Sequence, residues 1–193
     1  MTPTERRASG WLASIFALRM FGLFSILPIF AIYAKDLQGA DSVYVVALTL
    51  AIYGVGEALM QIAFGAASDR LGRKPVIAFG LMLFITGSVV AALSTSIYGV
   101  LVGRVLQGLA AISSAVTALT ADSTRDEVRT KAMAMIGVSI GMSFIAAMVI
   151  SPIVAGYVGL AGIFWMNAVL GIAALLVLFF VIPDAPIRDE PAT

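Results

Sequence analysis

Three ionisable side chains lie inside long apolar stretches of the chain: Arg19, Glu57 and Arg104. A charged group at the centre of a bilayer costs about 2.5–3.5 kcal/mol or more, so such residues serve proton transfer or ligand binding, or they pair with one another. Glu57 is the acid of the set, and a carboxyl group can bind and release a proton. The three residues predict an ionic site within the membrane, in which Glu57 either takes part in proton or substrate coupling or forms a structural ion pair with Arg19.

The depths of two of these residues favour such a pair. At about 1.5 Å per helical residue, Arg19 lies roughly 12 Å and Glu57 roughly 14 Å from the same side of the membrane. Arg104 lies nearer the opposite side, at roughly 10 Å from it.

Other kinds of chemistry are excluded by the residue types. The sequence of 193 residues contains no cysteine and no histidine, which excludes disulfides, thiol catalysis and metal sites made from these residues. It also contains no nucleophile–base pair, phosphate-binding glycine loop or nucleotide motif. We therefore expect neither an enzyme nor an ATP-driven pump, and no cofactor, metal or nucleic-acid partner.

Six long apolar runs position these residues. The chain is 61% hydrophobic and 12% charged, and its mean hydropathy is +1.03. A bilayer core about 30 Å thick requires roughly 20 apolar residues per helix. The runs cover residues 11–33, 43–66, 76–93, 97–120, 130–157 and 161–182. They predict an all-α membrane protein with six transmembrane helices in a single domain over residues 1–193, ending in a polar tail at 183–193.

The distribution of charge predicts the orientation of these helices. Cytoplasmic connections are rich in Lys and Arg, and tyrosines collect at membrane interfaces. Nine cations would share one side: Arg6, Arg7, Arg70, Arg73, Lys74, Arg125, Arg129, Lys131 and Arg188. The opposite side carries Lys35 and four tyrosines: Tyr33, Tyr44, Tyr98 and Tyr157. Both termini are therefore predicted to be cytoplasmic. Three spans followed by three more then form two inverted three-helix repeats, a building plan of secondary transporters.

The stretch "GAASDRLGRKP", residues 65–75, forms the cytoplasmic turn between the second and third helices. Its glycines allow close packing and a tight reversal, and its cations cannot enter lipid. The residues that we single out are Gly65, Asp69, Arg70, Gly72, Arg73 and Lys74. Because Asp69 is an acid among three cations, we expect it to bind a specific partner, such as the positive end of a helix dipole. The alternative is a solvated turn that only sets the topology.

This turn closely resembles the signature G-x-x-x-D-R-x-G-R-[KR]-x, which the major facilitator superfamily carries between its second and third helices. On the fourth run, "GRVLQGLAAISSA" is similar to the superfamily pattern R-x-x-Q-G-x-x-x-A through Arg104, Gln107 and Gly108. On the fifth run, "ISPIVAG" resembles the G-P-x-x-G motif of drug:proton antiporters, with Ser151 in place of the first glycine. On the first run, "LRMFGLFSILP" matches an antiporter motif in spacing, with Arg19 where many members have an acid.

The resemblance covers nearly the whole chain but only half of a typical member, which has twelve helices in two halves. It implies that the chain looks like an N-terminal half. In full-length members the acid of the turn, here Asp69, is thought to dock against helix eleven, the counterpart of helix five. The charged turn is then one side of a latch between two halves. The first and fourth helices of the family line a central cavity, which implies that Arg19, Arg104 and Gln107 face water.

Small residues on two helices predict close packing. Arg104 and Gly108 begin a small-residue stripe along the fourth run. On the fifth run the residues in question are Gly137, Gly141, Pro152 and Gly156.

Three functions stay open at this point. The first is a half-sized secondary transporter of the inner membrane that works as a homodimer and couples the export of small molecules to protons. The second is a non-transporting N-terminal fragment or a membrane protein that binds another protein. The third is a transporter of organic anions, because the charges within the predicted spans are two arginines and one acid. The expected partners are the lipid bilayer, a small-molecule substrate and protons.

Overall fold

The computed structural model describes residues 1–182, and this part of the chain folds into helices without a named strand. The helices are α1 (Pro3–Phe24), α2 (Phe30–Tyr33), α3 (Val43–Leu71), α4 (Arg73–Leu93), α5 (Ile97–Leu109), α6 (Ser113–Asp122) and α7 (Asp126–Phe180), with a 3-10 turn at Ala34–Asp36. The predicted all-α membrane fold is confirmed. The polar tail predicted at 183–193 lies outside the described residues.

The first apolar run forms α1 and the short α2 rather than one continuous helix. α1 begins before the run, because Thr2 and Glu5 form a capping box around its first turn. α1 ends at Phe24, and α2 resumes at Phe30. Pro28 lies between them and cannot donate a backbone hydrogen bond, which accounts for the interruption.

The charged turn separates α3 from α4 at one residue. Gly72 has φ +92°, a conformation that residues with a Cβ rarely adopt, and it ends α3 at Leu71. α4 begins at Arg73, with Pro75 in its first turn, where a missing N–H costs nothing. The reversal predicted at Gly72 is confirmed, although α3 continues five residues beyond the end of the apolar run at residue 66.

The fourth run, expected as one helix over 97–120, is broken in the middle. α5 ends at Leu109, where Ala110 has φ −79° and ψ 51°, and α6 begins at Ser113. The break leaves backbone groups of residues 110–112 outside the regular helical hydrogen-bond pattern, so buried side chains can bind them.

The fifth and sixth runs are joined in α7, which has 55 residues. A straight helix of that length would measure about 80 Å, far more than a bilayer core. Gly159 interrupts α7 with φ 65° and ψ −169°. α7 therefore supplies two spans, and their junction falls in the gap predicted between residues 157 and 161.

Four stretches of residues 1–182 are long and apolar enough to cross a membrane: Val43–Leu71, Arg73–Leu93, Ile97–Asp122 and Asp126–Phe180. Two apolar clusters hold the helices together. One joins the helices in the half of the bundle that carries the charged turn at residues 65–75, through residues such as Ile15, Leu81 and Val116. The other joins the opposite halves through residues such as Phe30 and Phe164. The predicted ionic site lies in the layer between the two clusters.

Candidate functional site

An ion pair between α1 and α3 forms the centre of the site. Arg19 Nη1 lies 2.9 Å from Glu57 Oε1, and the two side chains are 1% and 15% exposed. The structure therefore brings together the two residues whose depths favoured a pair. The lower exposure of Arg19 makes it the buried anchor, whereas part of Glu57 can still be reached from outside the helix bundle.

The break in the fourth run supplies the other partners of this pair. Arg19 Nη2 donates a hydrogen bond to the carbonyl oxygen of Ala110 at 2.9 Å, and Nη1 donates to Ser113 Oγ at 3.1 Å. Ser113 Oγ in turn donates to Glu57 Oε1 at 2.8 Å. The guanidinium thus meets the carbonyl end of α5, and the carboxylate meets the amino end of α6. Each charge lies at the helix end whose dipole favours it.

Tyr53 lies one turn before Glu57 on α3 and contacts both buried arginines. Its ring centroid is 5.9 Å from the guanidinium carbon of Arg19 and 4.6 Å from that of Arg104. Such stacking stabilises a cation by about 0.5–2 kcal/mol. The sequence analysis did not assign Tyr53 to the site. The sequence does contain a signal for this role, because Tyr53 precedes Glu57 by four residues and is the tyrosine inside a predicted span.

Arg104 is buried without a nearby carboxylate. It is 1% exposed, and within residues 1–182 no acid lies within 4.0 Å of its guanidinium. Nη1 donates to Gln107 Oε1 at 3.1 Å, and Gln107 Nε2 donates to Ser88 Oγ at 2.8 Å. That Arg19 and Arg104 line a water-filled cavity stays a prediction, and within the described residues they are, as whole residues, 2% and 1% exposed. Both side chains turn into the bundle, where Tyr53 and the break in the fourth run bind them.

Glycines permit the close helix contact beside these arginines. A Cβ added to Gly108 would lie 2.5 Å from the carbonyl oxygen of Tyr53, too close for any larger residue without a shift. A Cβ added to Gly103 would likewise lie only 2.6 Å from the carbonyl oxygen of Gly87. The contact of α5 with α3 and α4 therefore depends on these positions.

The predicted packing seam on the fifth run has no partner within residues 1–182. A Cβ added to Gly137, Gly141 or Gly156 would meet no atom within 4 Å, and Pro152 is exposed. This seam therefore packs against no other part of the described chain. That these residues form a close helix contact stays a prediction, and the contact would be with a surface outside the described residues.

The charged turn forms a cluster centred on Arg73. Its Nη1 lies 2.5 Å from Asp69 Oδ1, and its Nε lies 3.0 Å from Asp122 Oδ2 at the end of α6. Ser68 Oγ accepts a further hydrogen bond from Nη1 at 2.7 Å. Asp69 itself is 63% exposed on its side chain and is available to a further partner. Asp122 was not predicted, because it is distant in sequence.

The remaining residues of the turn occupy its edges. Gly65 faces Ser114, to which an added Cβ would make ordinary contact at 3.7 Å. Arg70 is exposed to the cytoplasmic side predicted for this turn. Lys74 Nζ donates to the carbonyl oxygen of Ile182, which joins the turn to the end of the described chain.

A second charged contact on this side joins the N-terminus to the start of α7. Glu5 Oε1 lies 2.8 Å from Arg125 Nε and accepts from the backbone N–H of Arg125 at 3.3 Å. The Arg125 side chain, followed by the backbone N–H of Thr2, holds the pKa of Glu5 well below its usual value. The same pair raises the pKa of Arg125. The sequence analysis did not predict this contact.

The site is ionic and hydrogen-bonded rather than metal-binding. Among residues 1–182 no group of three or more acids, cysteines or histidines is placed to hold a metal ion. The chemistry available at its centre is proton exchange on a carboxyl group held by a guanidinium and a hydroxyl group.

Comparisons with known proteins agree on one family. The family profile described as "Major Facilitator Superfamily" matches residues 12–193. "Inner membrane transport protein YajR" of Escherichia coli K12 is 49% identical over 185 residues, which cover 96% of this chain and 40% of that protein. "Multidrug resistance protein MdtL" of Shigella dysenteriae is 31% identical over 167 residues, covering 81% of this chain and 41% of the relative.

A solved structure shows the same fold. The crystal structure of the human organic anion transporter MFSD10 (TETRAN) superimposes with a TM-score of 0.77 at 24% identity, over 95% of this chain and 49% of that one. The chain thus spans about two fifths to one half of the proteins it matches. Two of these proteins, YajR and MFSD10, are named as transport proteins.

Proposed function

Because the chain belongs to the major facilitator superfamily, we propose that it is a proton-coupled secondary transporter of small molecules in which Glu57 carries the proton. The family predicted from the turn at residues 65–75 is confirmed by the match over residues 12–193. The relatives and the apolar helices place the protein in the inner membrane as a multi-pass protein. Its cytoplasmic termini and its transport activity are part of the proposal.

The observation that carries the proposal is the environment of Glu57. A proton carrier in a membrane needs a stabilised charged form and a route for the proton. Arg19 and Ser113 stabilise the carboxylate through Oε1, and the side chain stays 15% exposed. Complete burial of both charged partners would cost desolvation energy, and here only Arg19 is completely buried, so the Glu57 carboxylate stays within reach of a proton donor. This asymmetry favours proton exchange at Glu57.

We propose further that two six-helix units complete the transporter, as two copies of this chain in a homodimer. The halves of a twelve-helix member are related by an axis along the membrane normal, and two identical chains can reproduce that arrangement with a two-fold axis. The first half of α7 and, separately, α3 expose apolar side chains such as Leu59, Ile62 and Ile145. The glycines of the fifth run lie on the same uncovered side of α7, where a second unit can approach closely.

In this homodimer the charged turn would act across the interface. Asp69 of one copy would approach the start of α7 in the other, near Thr130 and Lys131, which are both exposed. A helix N-terminus and a lysine both favour a carboxylate. The contact would close the cytoplasmic side and open again during transport, with Arg73 holding Asp69 in position within each copy.

Organic anions are the second candidate class of substrate. The site holds two buried arginines against one carboxylate, so it carries an excess of positive charge in the described residues. The similarity to a structure named as an organic anion transporter concerns the fold alone. The excess charge is therefore the observation that favours an anionic substrate over a cationic one.

Proteoliposomes that contain the chain alone provide the test of the proposed function. A pH indicator inside the vesicles reports proton movement when a gradient of substrate is applied, with anionic and cationic dyes tested separately. We expect proton movement with the parent chain and none with Glu57→Gln, while Ser114→Ala, a nearby hydroxyl change, keeps it. Equal proton movement in the parent and in Glu57→Gln would overturn the proposal.

A further inference from the structure

Helix α6 joins the buried ion pair to the charged turn. At its first residue, Ser113 Oγ donates a hydrogen bond to Glu57 Oε1 at 2.8 Å. At its last residue, Asp122 Oδ2 accepts one from Arg73 Nε at 3.0 Å. Ten residues of helix span roughly 15 Å, about half of a bilayer core. One short rigid element therefore contacts the middle of the membrane and its cytoplasmic edge.

Short non-helical segments separate α6 from the helices that precede and follow it in the chain. The break at residues 110–112 precedes it, and the turn at Ser123–Arg125 follows it before α7 begins at Asp126. α6 is therefore a separate helical segment rather than a continuation of α5 or α7. Along its length it packs through apolar residues such as Val116 and Leu119, whose contacts do not depend on charge.

We propose that α6 transmits the protonation state of Glu57 to the charged turn at Asp69 and Arg73, with Ser113 and Asp122 as positioning residues at its two ends. The inference rests on the proposed proton binding at Glu57. It assigns a role to two residues that belong to neither the ion pair nor the turn itself.

The physical link is the change in strength of two hydrogen bonds. Bonds to a carboxylate are roughly twice as strong as those between neutral groups, so protonation of Glu57 weakens the bonds from Ser113 and Arg19. The amino end of α6 then also loses the negative charge that its dipole favours. α6 becomes free to shift, and Asp122 shifts with it relative to Arg73.

The consequence at the turn follows from the shared guanidinium. Arg73 binds Asp122 and Asp69 at the same time, at 3.0 Å and 2.5 Å. A displacement of Asp122 therefore changes the position of Arg73 and with it the freedom of Asp69. Proton binding in the middle of the membrane would in this way loosen the cytoplasmic turn.

The groups around Glu57 identify it as the titrating member of its cluster. Arg19 faces it from α1, Tyr53 lies beside it on α3, and Arg104 of α5 lies across the tyrosine ring. Arginine and tyrosine side chains keep their charge state at neutral and mildly acidic pH. On the cytoplasmic side, Asp69 and Asp122 are carboxylates as well, so the experiment must separate their titration from that of Glu57.

A spin label at the turn measures the proposed link. The chain has no native cysteine, and Leu71 is 71% exposed next to Gly72, so Leu71→Cys accepts a nitroxide label without disturbing the core. The labelled full chain is placed in lipid nanodiscs, and the mobile component of its electron paramagnetic resonance spectrum is compared at pH 8 and at a pH well below 4.5, the usual pKa of a glutamate side chain. We expect that acidification increases the ratio of mobile to immobile label about fivefold, the lower end of usual coupling between sites.

Variants at the two ends of the link provide the controls. Glu57→Gln removes the carboxylate that Ser113 binds, so the label is expected to be mobile at both pH values. Asp122→Asn removes the carboxylate that Arg73 binds, and the same result is expected. Ser113→Ala is expected to lose the pH response, and Ser113→Thr to retain it. Ser114 donates to the backbone carbonyl of Gln61 rather than to a charge, so Ser114→Ala is expected to respond like the parent.

Two results would overturn the inference. One is a full pH response in Ser113→Ala, and the other is a pH response that survives Glu57→Gln, which would assign it to the surface carboxylates. Proton binding itself is measured separately, by the infrared band of the protonated carboxyl group. A Glu57 band without any response of the label refutes the link and leaves the proposed function standing, whereas absence of the band refutes both.

Discussion

Arg19 donates a hydrogen bond to the carbonyl oxygen of Ala110 at 2.9 Å, at the point where the fourth membrane span is broken. This contact joins a charge on the first helix to a backbone group that a continuous helix would have used internally. The break and the arginine therefore stabilise each other. The ion pair with Glu57 is located at this point because both half-helices end there with the appropriate partial charges.

The Arg19–Glu57 pair is expected to be strongly coupled in stability. Removal of one partner leaves a buried charge without its counterion, at a cost of about 3 kcal/mol, whereas removal of both is much less costly. Thermal unfolding of the purified protein in detergent should therefore show a large loss for Arg19→Met and a smaller one for the double change with Glu57→Leu. Losses that simply add in the double variant would contradict the pairing.

Gly108→Ala is expected to destabilise the chain by about 1–3 kcal/mol. The added methyl group would lie 2.5 Å from the carbonyl oxygen of Tyr53, and both backbones are held in the core of the bundle. Gly54→Ala on α3 is the matched control, because its methyl group would meet no atom within 4 Å. Equal unfolding temperatures for the two variants would show that α3 and α5 do not pack at this distance.

The Glu5–Arg125 contact is expected to stabilise the protein above acidic pH. The folded state lowers the pKa of Glu5 from its usual value of 4.5, so the contribution is complete well above that pH and decreases as the pH falls below it. The difference in unfolding temperature between the parent and Glu5→Gln should therefore be constant near neutrality and shrink below about pH 4.5. Arg125→Gln should show the same profile. A difference that grows on acidification would contradict the contact.

The proposed homodimer is expected to form a specific crosslink between two copies. When chains with Asp69→Cys and chains with Thr130→Cys are mixed in one membrane, an inter-chain disulfide should join them, since no native cysteine competes. A mixture of Asp69→Cys with Tyr44→Cys is the control, because Tyr44 is predicted at the opposite membrane surface. If both cysteine chains are well expressed but no joined product forms, two copies do not meet through this turn.

Local signals in the sequence were sufficient for much of this fold. The apolar runs located the spans, and Gly72 located the reversal between α3 and α4, because only a few residue types adopt its backbone conformation. The depths of Arg19 and Glu57 favoured their pairing. In each case the determining residues lie close together in the sequence, or a single physical constraint, the thickness of the bilayer, relates them.

The break in the fourth span could not be predicted in the same way. The residues 110–112 are Ala, Ala and Ile, which include no helix breaker. Their conformation depends on Arg19 from another helix and on the close approach of Gly108 to Tyr53. The hydrogen bonds of Arg19 to Ala110 and Ser113 were not predicted for the same reason, because they join residues that are distant in the sequence.

The most direct measurement of proton binding at Glu57 is an infrared difference spectrum between neutral and acidic buffer, recorded on the protein in a lipid film. We expect a component of the carbonyl stretching absorption of protonated carboxyl groups that is present in the parent, lost in Glu57→Gln and retained in Glu5→Gln, which changes a carboxylate outside the ion pair. Identical difference spectra for the parent and Glu57→Gln would show that Glu57 does not take up a proton, and would contradict the central claim.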